Sequence, residues 1–333
     1  MYALNARAAS RILACATEAC WRQWSSLADT AASPGGRPVG SVIDPEALVL
    51  LSLAVRQHER RLEDRLRWWT ATGTSWMSIQ RLRSLLVTFP ERVRPELARF
   101  AAMAVSAGDP RWKVFVADSQ AGAFGRSGKG PASLHLSTPS ALMLRLRAGF
   151  GVGAKADILT FLLASAGAAS GLRPGTSAET IASATSYSVV STRRAASEMS
   201  LARFVTASEH RPAHYSVDVQ AWAHVLRLGG PRPARRGAAG GDDHALELPA
   251  WRFWAQMFAF LAACTDLGED ARLAKAAPVV QASATRDLAE RFRRPLEWNG
   301  IEWVDPRQLP GEVYLEEFGR LIDRVIQWIG EAL

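Results

Sequence analysis

The segment between residues 154 and 218 constrains the fold most, because its helix start and stop signals stand so close together that only short elements fit. In chain order these signals are helix breakers at Gly171 and Pro174-Gly175, a capping box over 176–179, a turn over 185–187 and a helix cap at Ser188. The sequence therefore predicts helices over 155–166, 178–184 and 189–201, with a tight turn between the second and the third.

Two short strands are predicted directly after the third helix. Residues 204–206 and 214–217 are rich in aromatic and β-branched side chains, and the polar residues 208–212 lie between them. Asp218 is placed to cap a closing helix that contains Trp222 and Val225. This pattern predicts a two-stranded hairpin between two helices.

The order of these elements resembles the winged helix-turn-helix superfamily, in the style of bacterial transcriptional regulators, over residues 150–228. The resemblance rests on Ile181-Ala182, the turn over 185–188, residues 191–194 and the exit from the second strand over 215–218. The chain departs from many members at two places, because it has Ser186 in the turn and Ala202-Arg203 after the third helix, where they have glycine.

The resemblance implies that the third helix enters the major groove of double-stranded DNA. Val190, Ala195 and Met199 are expected to face the core. Arginine side chains can pair with guanine edges, whereas serine and threonine can hold phosphates or bases. The expected DNA contacts are Ser188, Ser191, Thr192, Arg193 and Arg194 on the third helix, His210 and Arg211 at the tip between the strands, and Lys155 and Thr176 near helix N-termini.

The charge of the chain also favours a partner that carries phosphate. Its formal net charge is +8, and between residues 55 and 147 Lys and Arg outnumber Asp and Glu by more than two to one. This basic region is consistent with a second electrostatic contact to DNA, with a dock for an acidic partner, or with a helical surface that its arginines merely solvate.

The predicted fold class is mostly α. Asp44-Pro45-Glu46 is a strong start for one long helix that ends near Gly73, and Asn299-Gly300 is a typical two-residue hairpin turn. The Gly-rich stretch 149–153 and the Gly, Pro and Arg-rich stretch 229–243 mark boundaries. The expected division is a helical basic N-terminal domain over 1–148, the winged helix-turn-helix with its small β-wing over 150–228, a flexible linker over 229–246 and a helical C-terminal domain over 247–333.

No enzyme motif withstands inspection, so neither an enzyme nor a cofactor is expected. Residues 125–130 resemble a phosphate-binding loop, but the Walker pattern requires glycine where the chain has Ala123 and serine or threonine where it has Gly130. The stretch 149–153 lacks the third dinucleotide glycine. Asp242-Asp243-His244 lies in a Gly-rich stretch without a second cluster, and therefore no metal site is predicted.

The expected protein is cytoplasmic, contacts no membrane and binds DNA as a homodimer. An alternative partner is a protein. The stretches 44–69 and 78–86 weakly resemble regulators or antitoxins that are paired with nucleotidyltransferase toxins in bacterial abortive-infection systems. This resemblance implies an antitoxin or adaptor that binds a toxin in a toxin–antitoxin or phage-defence operon.

Overall fold

The computed structural model describes residues 6–28, 39–116, 133–166, 175–209, 211–227, 248–305 and 309–333. Over these residues the protein is mostly helical and contains a small antiparallel sheet of three strands. The helices are α1 (Ala6–Leu27), α2 (Pro45–Val55), α3 (Leu62–Thr72), α4 (Ile79–Leu86), α5 (Val93–Ser106), α6 (Leu142–Phe150), α7 (Ala154–Ser165), α8 (Ala178–Thr185), α9 (Val189–Leu201), α10 (Val219–Leu226), α11 (Trp254–Glu269), α12 (Ala271–Ala274), α13 (Pro278–Arg291), α14 (Arg293–Trp298) and α15 (Gly311–Ala332), and the strands are β1 (Thr176–Ser177), β2 (Thr206–Ala207) and β3 (His214–Ser216).

The chain forms two compact units. Unit 1 draws on Met1–Val39, Ile43–His135 and Arg252–Leu333, and unit 2 on Gly40–Val42 and Leu136–Trp251. The expected separation of N-terminal and C-terminal helical domains is therefore wrong, since α11 packs against α1 and α2, and α15 packs against α1 and α13. Unit 2 is also longer than the expected central domain, because it includes α6.

The joining of the two chain ends in unit 1 follows from the composition of α2. Every residue of this helix is buried, including Glu46 and Ser52. A helix that is apolar on all sides has to be covered on all sides. Asp44 caps α2 by accepting a hydrogen bond from the backbone N–H of Ala47, as the sequence predicts. Neighbouring helices alone do not cover this helix, and the distant α11 covers part of it.

The single helix expected between residue 45 and Gly73 is in fact two. It breaks after Val55, where a run of charged side chains follows the apolar stretch, and resumes at Leu62. Arg56 lies at the break and forms ion pairs with Glu63 and Glu96, both at 2.5 Å. These pairs fix the corner where the chain turns from α2 into α3.

The predicted hairpin at Asn299-Gly300 is also wrong. The residues before the turn form α14, and Gly300 follows the end of this helix with a φ of +69°. An Asn-Gly pair suits a hairpin turn and a helix C-terminus equally well, because both need a residue in the left-handed region. Because α14 precedes Asn299-Gly300, the pair forms the C-terminal end of a helix and not a hairpin turn.

Unit 2 is arranged around its small sheet in the order α6, α7, β1, α8, α9, β2, β3, α10. The strands lie in the order β1-β3-β2, with Thr176 opposite Tyr215 and Thr206 opposite Ser216. Helices α7, α8 and α9 pack against one another. Asp218 caps α10 by accepting from the N–H of Ala221, as predicted.

Several sequence features lie outside the described residues. They are His210, the loop over 125–130, the predicted linker over 229–246 and Asp242-Asp243-His244. Within the described ranges, none of the helices is both long and apolar enough to cross a membrane. The same residues contain no group of three His, Cys, Asp or Glu side chains placed to hold a metal ion.

Candidate nucleic-acid interface

Helix α9 buries one stripe of small and apolar side chains and presents its opposite side to solvent. The buried stripe consists of Thr192, Ala195, Ala196 and Met199. Both alanines lie three or four residues from Thr192 and from Met199, so the four side chains share one face. The prediction that Val190 faces the core is wrong, since Val190 is 76 % exposed. At 3.6 residues per turn, Val190 and Met199 point in opposite directions, so both cannot be buried on one side.

Thr192 is the second correction on this helix. It was expected to face DNA, but it is fully buried in the stripe that packs against the rest of unit 2. Its hydroxyl oxygen has no hydrogen-bond partner within the described protein. A side chain in this position cannot reach a phosphate or a base, and Thr192 therefore leaves the set of candidate contacts.

The buried hydroxyl of Thr192 gives a prediction about stability. Valine has the shape of threonine without the hydroxyl, so Thr192→Val removes the penalty of an unpaired polar group. We expect the free energy of unfolding to rise by about 1 kcal/mol, measured by urea denaturation. A free energy of unfolding that falls in Thr192→Val would contradict the assignment of this hydroxyl as an unpaired buried group.

The start of α9 is held as the sequence predicts. Ser188 accepts a hydrogen bond from the backbone N–H of Ser191 at 3.2 Å, and the two hydroxyl groups are 2.9 Å apart. Ser186 ends α8 in the left-handed conformation, with a φ of +60°, which is where many winged helices have glycine. This turn leaves Ser188 exposed and Ser191 half-buried at the N-terminal end of α9.

A buried ionic cluster fixes the turn before α9 to the neighbouring helices. Arg147 of α6 donates to Asp157 of α7 through Nε (2.7 Å) and through a terminal nitrogen (2.8 Å), and both side chains are fully buried. The hydroxyl of Tyr187 donates to the same carboxylate at 2.9 Å. Because Tyr187 directly precedes the cap Ser188, this cluster sets where α9 begins.

The cations around α9 lie on its outward side and are paired with two glutamates. Lys155 lies 2.8 Å from Glu198, and Arg194 donates to the same carboxylate at 3.0 Å. Arg193 lies 3.5 Å from Glu179 of α8. Hydrogen bonds from Lys155 and Arg194 lower the pKa of Glu198, so its carboxylate stays charged. The fold thus brings Lys155, Arg193 and Arg194 around one helix.

The loop between β2 and β3 carries Arg211, which is exposed.

Thr176 was expected to contact DNA near a helix N-terminus. It is instead buried in β1, opposite Tyr215, and its side chain is not available at the start of a helix. The residue that caps α8 is its neighbour Ser177, which accepts from the N–H of Thr180. The predicted contact at Thr176 is therefore not supported by its position.

Three aromatic rings lie together beyond the end of α9. The ring centroids of Phe150, Phe204 and Trp222 are 5.8 to 5.9 Å apart. Phe150 and Phe204 remain nearly half exposed, and the nearby chain adds exposed Leu201 and Val225. We call Phe150, Phe204 and Trp222 the aromatic cluster; it gives unit 2 an apolar surface that the sequence analysis did not identify.

The surface formed by residues 55–147 carries less positive charge than their count of Lys and Arg predicts. Arg81 and Arg147 are fully buried, the first between Asp44 and Glu46. Further arginines of this region form ion pairs with neighbouring carboxylates; these are Arg56, Arg61, Arg67, Arg92, Arg94, Arg99 and Arg111. The two buried arginines cannot reach a partner, and each paired arginine has a carboxylate beside it that cancels part of its charge.

Two roles in this site were missed by sequence reasoning, and each had a signal. Asp157 stands inside an otherwise apolar helical run, which is where a buried ion pair has to be sought. Glu198 follows Arg194 by four residues, the spacing of a helical ion pair. Their partners Arg147 and Lys155 belong to other helices, so only the fold identifies them.

The outward face of α9 thus joins exposed hydroxyl, guanidinium and apolar groups at one helix end. These groups suit phosphates and base edges.

In comparisons with known proteins, no family model matches this chain, no curated protein matches it and no solved structure matches it.

Proposed function

We propose that unit 2 is a winged helix-turn-helix module that binds double-stranded DNA with α9 in the major groove, and that the protein is a transcriptional repressor. The observation that carries the proposal is the outward face of α9, where Arg193 and Arg194 are mostly exposed beside the capped N-terminus. The order α7, α8, α9, β2, β3, α10 supports it, because the winged helix-turn-helix that the sequence resembles has this order. A helix-turn-helix reads bases with the second helix of its pair.

The side chains on this face suggest a division of roles. Arg193 and Arg194 are the candidates for guanine edges and phosphates, and Ser188 and Ser191 for phosphates near the helix start. Val190 projects from the same end of α9, where a valine can contact a thymine methyl group. Arg211, which is exposed on the β2–β3 loop, is the candidate for the wing contact to the adjacent backbone.

The proposal is tested by substituting both arginines of α9 in the full-length chain. A duplex is first selected from a random pool with the parent protein, and binding is then followed by fluorescence anisotropy. We expect Arg193→Ala with Arg194→Ala to weaken specific binding by about 100-fold or more, since a good arginine–base pair contributes about 1–3 kcal/mol. The affinity of the parent should fall steeply with salt.

A charge-matched variant separates a local from a global effect. Arg60 and Arg83 are exposed in unit 1, and Arg60→Ala with Arg83→Ala removes the same charge. We expect this control to bind the selected duplex within a few-fold of the parent. If both double variants lose affinity equally, α9 is not the reading helix; if the parent selects no duplex at all, the proposed function is wrong.

The aromatic cluster supports a second candidate function, an antitoxin or adaptor that binds a protein. Exposed apolar side chains grouped in this way are typical of protein interfaces. Co-expression of this protein with the products of adjacent genes tests the second candidate. The adaptor is favoured if this protein binds no DNA but forms a stoichiometric complex with one of those products, and if Phe204→Ser disrupts that complex. A homodimer that reads a palindromic operator is also compatible with this surface, and sedimentation of the parent and of Phe204→Ser distinguishes the two.

A further inference from the structure

We propose that Glu179 and Glu198 are specificity residues, which restrain non-specific DNA binding by neutralising the cations around α9. This inference rests on the proposed function and concerns the same surface. Glu198 holds Lys155 and Arg194 at 2.8 and 3.0 Å, and Glu179 holds Arg193 at 3.5 Å. Each cation that is assigned to DNA on this helix thus has a carboxylate partner in the free protein.

In these ion pairs a DNA group can replace the carboxylate as the partner of the cation, because the pairs are exposed and contribute little to the stability of the fold. All five side chains are between about two-fifths and four-fifths exposed. Exposed ion pairs are weak and screened by salt, so a phosphate or a base edge can displace the carboxylate. Glu198 contacts Lys155 of α7 and Arg194 of its own helix, and Glu179 of α8 contacts Arg193 of α9.

The carboxylates act differently on the two modes of DNA binding. Non-specific binding depends on cations that replace counterions at phosphates, and a glutamate beside those cations cancels part of their charge and is itself repelled by phosphate. Specific binding adds bidentate bonds from arginine to base edges, which outweigh an exposed ion pair. Glu179 and Glu198 therefore weaken the first mode more than the second.

The test compares Glu198→Gln, Glu179→Gln and the double variant with the parent full-length chain. Glutamine keeps the shape and the helix propensity of glutamate while removing its charge. Glu290→Gln is the matched control, because Glu290 is exposed on α13 in unit 1 and its substitution changes the net charge equally. Each protein is titrated with a selected duplex and with a shuffled duplex over a series of salt concentrations.

We expect Glu198→Gln to tighten binding to the shuffled duplex by about 5-fold, and the slope of log K against log salt to steepen by about one unit. Binding to the selected duplex should tighten less, so that the ratio of specific to non-specific affinity falls; the double variant should show a larger change. Glu290→Gln should leave both the slope and the ratio near those of the parent.

The possible outcomes are distinct. If Glu198→Gln and Glu290→Gln behave alike, or if both duplexes gain affinity equally, the inference is wrong while the proposed function stands. A loss of specific binding in Glu198→Gln would show that the glutamate positions Arg194 for DNA, which also overturns it. If the parent and every variant bind no duplex, both proposals fail together.

Discussion

Asp157→Asn should destabilise unit 2 by about 3–5 kcal/mol, the cost of leaving one charge of a buried pair without its partner. The substitution keeps the shape of the side chain but leaves the guanidinium of Arg147 fully buried opposite a neutral amide. It also weakens the anchor of Tyr187, whose hydroxyl donates to the same carboxylate. Amide hydrogen exchange in peptides from α7 and α9 measures the loss, because these helices report on unit 2 alone.

Two companion variants identify the cause. Tyr187→Phe removes one hydrogen bond to a charged group and should cost about 1.5–3 kcal/mol. Arg147→Met combined with Asp157→Leu replaces the pair with apolar groups and should recover much of the stability, since well-packed apolar replacements of buried pairs are often neutral. A cost below about 1 kcal/mol for Asp157→Asn would contradict the assignment of this pair as the anchor of α9.

The functional consequence follows from the position of the cluster. Tyr187 lies one residue before the cap of α9, so loosening the cluster should release the N-terminal end of that helix. An interface that reads base edges needs its side chains held in place before contact, because ordering them on binding costs affinity. We therefore expect Tyr187→Phe to weaken specific DNA binding more than non-specific binding.

Gly73→Ala should destabilise unit 1 by about 3 kcal/mol, near the upper end of the usual cost of overpacking a core. Gly73 ends α3, and a β-carbon at this position would overlap the indole ring of Trp69. Trp69 cannot move aside, because it is fully buried between Trp24 and Trp68 and its Nε1 donates to the sulfur of Met77 at 3.0 Å. Thermal unfolding followed by tryptophan fluorescence should show a midpoint lowered by about 6–12 °C.

Gly330→Ala is the matched control in the same unit. Gly330 lies inside α15, and a β-carbon there meets nothing within 4 Å. Alanine is the better helix former, so this substitution should raise the stability by about 0.5–1 kcal/mol. Equal effects of the two substitutions would mean that the contact between Gly73 and Trp69 is not tight, and that the packing of the three tryptophans tolerates another methyl group.

Local signals predicted the starts of helices in both units. Asp44, Ser188 and Asp218 cap their helices as expected, because a cap depends on hydrogen bonds to residues two or three positions away. The hairpin after α9 was also expected near its observed place. The error at Val190 could have been avoided, since spacing alone excludes a common face for Val190 and Met199.

Long-range packing decided the rest. The sequence of α2 does not predict that α11, some two hundred residues later, covers it. The sequence around Arg147 likewise does not predict that its charge is buried against Asp157. Residue spacing records which side chains share a face, because helix geometry is local; which face meets another helix depends on the free energy of burying all faces together. For the same reason, the net charge of this protein is known from its sequence, whereas only the tertiary structure determines which charged side chains are exposed to a partner.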